Sequence, residues 1–253
     1  MRAFSSGGGI QSIAALVLSA QGVIDFPTHL FCNVGDDSEE PETLVYLRTI
    51  AMPYAKANGI ELIEIARATR DGETLLARTR REERSIKIPV RMGNGAPGAR
   101  SCTEDFKRVV IRQWLGKGKH VVGLGISFDE AIYRMRDDSG QPNIVNEYPL
   151  VDLRLSRQAC ANIISKAGLP EPPKSACWFC PFHTMTAWRT MRARRPEMFK
   201  RAVELEQELI AKRQALGRDP VYLSRAGTTL DLAVSDQMAF DEGDSCASGY
   251  CMV

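Results

Sequence analysis

The chain has 253 residues, 44% of them hydrophobic and 25% charged, and its 33 basic and 31 acidic side chains leave a net charge of only +2. That length buries a full core, either as one large α/β domain or as a domain with a C-terminal appendage, and so small a net charge excludes nucleic-acid binding by bulk charge alone. No apolar run approaches the roughly 18 residues a membrane span needs, which excludes a helical membrane protein, and the N-terminal stretch lacks the long apolar segment of a secretory signal.

Arg2, Ala3 and Phe4 form a short strand stub that runs at once into the turn Ser5-Ser6-Gly7-Gly8-Gly9-Ile10-Gln11-Ser12. Residues 13–18 then read as a helix with a broad apolar face, and 29–34 as a short apolar run suited to a buried parallel strand. Residues 40–57 have a helical pattern with Pro41 in the first turn; Asn58 and Gly59 stop it, and 60–65 give a third strand. Strands alternating with helices predict βαβ units, hence an α/β fold with an open, mostly parallel, doubly wound sheet. From 67 to 100 the pattern weakens into a charged run (78–84) and a glycine-rich run (92–98), read as an insertion or a mobile loop over the site.

Regularity returns with a helix over 103–115, a strand over 120–125, a helix or turn over 127–136 and an extended segment at 148–152. Ser156 is placed to cap a helix that reaches 167 and ends at Gly168. Pro170, Pro172 and Pro173 then mark a boundary. Residues 1–170 are thus read as the α/β domain. Residues 171–253 are read as a helical C-terminal region, helical from 183 to 216 with a break near Pro196, which carries a C-x-x-C and ends in a cysteine-containing tail.

A strand, three consecutive glycines and a helix have a physical use. Glycines let backbone amides approach an anion closely, and the helix start adds unpaired N–H groups and the positive end of its dipole. A plain tight turn is the alternative, but three glycines cost conformational entropy that such a turn does not require. Ser6 and Ser12 add hydroxyls. The spacing is neither the Walker pattern, because no Gly-Lys-Ser/Thr closes the loop, nor the dinucleotide G-x-G-x-x-G.

This turn resembles the phosphate loop of the PP-loop ATP pyrophosphatase superfamily, in particular its phosphoadenylyl-sulfate (PAPS) reductase-like branch, whose pattern is S-G-G-x-D-S. Aligned on Ser12, the family serine falls on Gly7 and the family aspartate on Gln11. Four later segments keep the family's order. Asn33-Val34-Gly35-Asp36 to Pro41-Glu42-Thr43 is similar to D-T-G…P-E-T, with Asn33 in place of the aspartate. Cys102-Thr103-Glu104-Asp105-Phe106-Lys107 is similar to the cysteine-plus-lysine element. The segment from Gly125 through Ser127 and Glu130 to Arg134 is similar to G-x-R-x-x-E-S…R, with Ser127 in place of arginine. The stretch from Lys174 to Phe182 looks like the distal C-x-x-C of the cluster-bearing reductases.

The resemblance implies a Rossmann-like nucleotide-binding sheet whose cofactor-binding residues are Ser6, Gly7, Gly8, Gly9, Gln11, Ser12, Gly35 and Gly125, with ATP or a sulfonucleotide bound and Mg²⁺ screening its phosphates. Asp36, Glu42 and Glu130 become candidates for metal or substrate contact, and Lys107 and Arg134 for neutralising anionic groups. Without the shared register, Glu42, Asp129 and Glu130 read as ordinary first-turn carboxylates and Arg134 as a surface charge.

Seven cysteines without an export signal point to a reducing, cytoplasmic setting, in which clustered cysteines bind metal or react more often than they pair. Cys177-x-x-Cys180 can bring two thiolates to one centre. The resemblance implies an iron–sulfur cluster, 4Fe–4S, on Cys102, Cys177 and Cys180, with Cys251 or Cys246 as the fourth ligand or with one iron left open. Zinc on Cys177, Cys180, Cys246 and Cys251 is the alternative, and no metal is the third reading. Cys32 and Cys160 read as packing residues, and His183 as a core or polar histidine.

Arg189, Arg192, Arg194, Arg195, Lys200 and Arg201 form a basic stretch that suits a nucleic-acid backbone, although Glu204, Glu206 and Glu208 favour a solvated amphipathic helix. The expected function is adenylation-dependent sulfur transfer, to tRNA or DNA for example, with a nucleotide substrate, a sulfur-donor protein as partner, no membrane, and a homodimer left open. True sulfonucleotide reduction and a non-catalytic nucleotide-binding partner subunit are the two rival readings.

Overall fold

The computed structural model describes residues 1–67, 72–81, 85–135 and 140–235. In chain order the elements are β1 (Arg2–Ser6), α1 (Ile10–Ala20), β2 (Thr28–Asn33), α2 (Pro41–Tyr46), a π turn (Leu47–Ala51), α3 (Met52–Ala57), β3 (Glu61–Ala66), α4 (Leu75–Arg80) and α5 (Ser101–Thr103). A second π turn (Glu104–Arg108) leads to α6 (Val109–Leu115), β4 (His120–Leu124), a 3₁₀ turn (Phe128–Glu130), α7 (Ala131–Arg134), β5 (Ile144–Glu147), α8 (Pro149–Asp152), α9 (Arg157–Lys166), α10 (Met185–Arg194), α11 (Pro196–Ala215) and α12 (Leu230–Ala233). None of the described helices is long and apolar enough to cross a membrane.

Among the described residues the chain divides into two compact units, one of Met1–Gly72 and Asp105–Ala176 and one of Glu73–Glu104 and the residues from Cys177 on. The stretch read from sequence as an insertion thus contributes a helix, capped by the Thr74 hydroxyl on the Ala77 amide, to the unit that also holds the C-terminal helices.

In the first unit five strands form one all-parallel sheet in the order β3-β2-β1-β4-β5, an α/β doubly wound arrangement. Strand alternation explains its two faces. Phe4 packs with Ile13, Leu16, Leu47, Leu150, Cys160 and Ile164 on one side, while Ala3, Leu30, Cys32 and Val122 pack with Val110, Ile111 and Leu115 on the other. All six residues of β2 are buried, as a strand covered on both faces requires. Ser156 accepts from the Ala159 amide at the start of α9, and Gly168, at φ +74°, ends it in the left-handed conformation.

Segments 144–147 and 149–152 differ from the sequence expectation. Residues 149–152 form a helical turn rather than an extended segment, with Pro149 at its first position, where the missing N–H costs nothing. Residues 144–147, unassigned from sequence, pair with β4 as the edge strand.

Gly123 of β4 lies where a β-carbon would sit 2.6 Å from Phe4 and 2.8 Å from Phe26. Both rings are buried, so Gly123→Ala should destabilise the protein by about 2 kcal/mol through overpacking. A urea-unfolding midpoint equal to that of the unsubstituted protein would refute this.

Candidate functional site

The strand order reverses between β1 and β4, so the carboxyl ends of these two strands border the crevice where open α/β sheets bind ligands. β1 ends at Ser6, and α1 starts at Ile10 behind Gly9, whose extended backbone (φ −96°, ψ −176°) supplies no side-chain cap. Between them Gly8 has φ +75°, and a β-carbon there would stand 3.1 Å from both the Phe31 ring and the Thr43 methyl. The Gly7 amide donates to Ser12 Oγ at 2.8 Å, and Ser175 Oγ donates to the Gly7 carbonyl. The amides of Gly8, Gly9, Ile10, Gln11 and Ser12 find no acceptor among the described residues. The turn therefore presents a row of unsatisfied donors at the positive end of an 11-residue helix. Beside it Thr43 is fully buried and its Oγ1 has no partner.

The end of β4 adjoins the same turn. A β-carbon on Gly125 would lie 3.6 Å from Gln11 Cβ and Ser12 Oγ. The Gln11 side-chain Nε2 donates to Glu130 Oε1 at 3.3 Å and to Ser127 Oγ at 3.5 Å, while Arg157 donates to Gln11 Oε1 at 3.2 Å. Glu130 is ion-paired with Arg134 one helical turn on. The structure thus brings Gln11, Ser12, Gly125, Glu130 and Arg134 together and adds Arg157, which the sequence reading did not single out. The available signal was a cation directly after a helix cap, where the dipole disfavours it.

At the end of β2 a second group forms. Asn33 donates to Asp36 Oδ1 and to Glu64 Oε1, both at 2.6 Å, and accepts from the Gly35 amide at 2.8 Å. Arg48 bonds both carboxylates. Its guanidinium, with help from Asn33, holds Asp36 below the usual carboxylate range, and it acts in the same way on Glu64. Asp36 is therefore matched by Arg48 in this arrangement. Glu42 is exposed in the first turn of α2, a position that favours a carboxylate by itself.

Lys107, in the second π turn, lies close enough to act on both Glu39 and Cys32. Burial pushes the Cys32 thiol up to about 12, partly offset by Lys107. Glu39 is only 2% exposed, and burial raises its carboxyl against the pull of Lys107 and the Val34 amide. Its Oε1 has no partner. Glu39 lies in no motif, and nothing local in the sequence marks it as buried.

In the second unit Cys177-Trp178-Phe179-Cys180 forms a tight turn. The Cys180 amide donates to the Cys177 carbonyl at 3.0 Å, and the His183 ring bonds the same carbonyl at 2.9 Å. Trp178 and Phe179 are buried edge to face, 4.8 Å apart. The Cys102 amide donates to the Lys87 carbonyl at 2.9 Å. Among the described residues no group of three or more His, Cys, Asp or Glu side chains is arranged to hold a metal ion. Cys246 and Cys251 lie outside the described residues. Cys32 and Cys160 are buried in the first unit.

Of the basic stretch, Arg189, Arg194, Lys200 and Arg201 are exposed, and the Arg201 guanidinium lies 4.7 Å from the Trp178 ring centre. The solvated reading of α11 needs one correction: Glu206 is buried, because it lies on the same helix face as Ala202, Leu205 and Leu209.

No protein-family model and no curated protein sequence matches this chain.

Proposed function

We propose that this chain binds the phosphates of ATP, or of a sulfonucleotide, at turn 7–9 and acts as an ATP pyrophosphatase of the PAPS reductase-like kind. The observation that carries this reading is the turn itself. It lies at the strand-order reversal, its first-turn amides lack acceptors among the described residues, and Gly8 leaves no room for a side chain.

In the reaction an acceptor oxygen attacks the α-phosphorus, the bond to the β-phosphate breaks, and pyrophosphate leaves with the electron pair. A sulfur nucleophile then displaces AMP from the activated acceptor. The helix start and Lys107 would bear the negative charge of the phosphates, and Arg134, held by Glu130, would orient the substrate. Mg²⁺ would screen the phosphates, as ATP chemistry generally requires.

A second reading, a nucleotide-binding partner subunit without turnover, is favoured by the engagement of Gln11 with Glu130, Ser127 and Arg157 and of Asp36 with Arg48. Calorimetry and a pyrophosphate assay separate the two. With Mg-ATP and tRNA or DNA as acceptor, the enzyme reading expects ATP binding and acceptor-dependent pyrophosphate release. Binding without release supports the partner subunit, and no binding at all defeats both.

A further inference from the structure

We propose that Arg157 is a phosphate ligand of this site, a guanidinium serving the glycine turn where a Walker-type turn uses lysine. The inference rests on the phosphate reading above and names the group that would carry the positive charge.

Arg157 is the first residue of α9, where a cation opposes the positive end of its own helix. Two amides of that helix start are satisfied without its side chain. The Arg157 amide donates to Asp129 Oδ1 at 3.1 Å, and the Ala159 amide to Ser156 Oγ at 3.2 Å. The side chain donates instead to Gln11 Oε1, on the first turn of α1.

Gln11 works as a two-ended bracket: its amide nitrogen meets Glu130 and Ser127 while its oxygen receives Arg157. An aspartate in its place would offer the Glu130 carboxylate no donor and would repel it. The guanidinium is thereby tied to a side chain on the first turn of the helix whose leading amides lack acceptors, and it has no other acceptor among the described residues. Arg157 is exposed and so open to a ligand. Thr43, whose methyl lies against Gly8, is a second observation at this turn, since its Oγ1 is buried without a partner. A guanidinium fork reads two phosphate oxygens at once, and on the phosphate reading above the ligand class is a polyphosphate, alone or on a nucleoside.

Titration calorimetry with ATP, inorganic tripolyphosphate and adenosine, on the full chain and its Arg157→Ala and Arg157→Lys variants, tests this. Arg157→Ala should weaken ATP and tripolyphosphate by roughly 10- to 100-fold, the loss of a charge-assisted pair, and leave adenosine unchanged. Arg157→Lys should recover part of the loss, because it restores the charge without the fork, and it decides the matter if the alanine variant fails to fold. Unchanged tripolyphosphate and ATP affinity in both variants would overturn the role of Arg157 and leave the nucleotide reading standing. Tripolyphosphate binding that depends on Arg157, with ATP bound no better, would defeat the nucleotide reading and keep the anion site. A protein that binds neither defeats both.

Discussion

Gly8→Ala should weaken ATP binding by at least about 100-fold and destabilise the first unit by about 2 kcal/mol. Two costs combine. At φ +75° an alanine enters the left-handed region that L side chains rarely adopt. Its β-carbon would also press on the Phe31 ring and the Thr43 methyl at 3.1 Å, and both residues are buried, so neither can easily yield. Relief comes from displacing the turn, which moves the amides that would face the phosphates. A shift of about 1 Å in such donors is enough for a loss of that size.

Neighbouring glycines supply the contrast. Gly9 has an extended backbone, and its β-carbon would meet Ser175 Cβ at an ordinary 3.6 Å. Gly7 is equally open, with Ser12 Oγ at 3.6 Å. Alanine at either position should change the melting temperature little, by the equivalent of about 0.5 kcal/mol. Calorimetry beside thermal melts of the three variants decides the matter. An alanine at position 8 that binds ATP as the parent does would remove the turn from the site.

The first four strands were legible in the sequence because each is a short apolar run bounded by glycine, proline or a polar turn. α9 was legible because Ser156 and Gly168 mark both of its ends. β5 was not, since only Ile144 and Val145 are apolar there and its strand character comes from pairing with β4. The helix after the glycine turn was expected from residue 13 but begins at Ile10, which places Gln11 and Ser12 on its first turn. That changes their chemistry, because their amides belong to the helix end.

The loops around the site were legible as motifs in a shared order. The partners that give them geometry were not. Ser175 on Gly7 and Arg157 on Gln11 are contacts between residues 168 and 146 positions apart, which no local pattern encodes. Glu206 is a different case. It lies four residues after Ala202 and three before Leu209, on the apolar face of α11. The helical period alone places it inside; its charge suggested otherwise.

That burial makes Glu206 a residue on which the second unit should depend strongly. Its carboxylate accepts from the Leu223 amide at 2.7 Å and from the Leu230 amide at 2.5 Å, joining the segment after α11 and the start of α12 to one buried point. Glu206→Ala leaves both amides without an acceptor and opens a gap among Phe199, Leu205 and Leu209, so the second unit should lose about 4 kcal/mol. Unfolding followed by fluorescence reports on it, because Trp178 and Trp188 are both buried in this unit.

The same residue sets a pH dependence. Burial pushes the Glu206 carboxyl up to about 7, while the two amides pull the other way. A carboxyl whose folded value lies above its unfolded one contributes stability that is fully present below about 4.5 and is lost as the pH rises through about 7. Between pH 5 and pH 8 the second unit should therefore weaken by about 2 to 3 kcal/mol from this group. Glu206→Gln cannot titrate, and its NH₂ must face one of the two amides. It should be destabilised at every pH and should lose most of this slope. A glutamine variant that keeps the parent's fall in unfolding midpoint between pH 5 and pH 8 would show that another group is responsible.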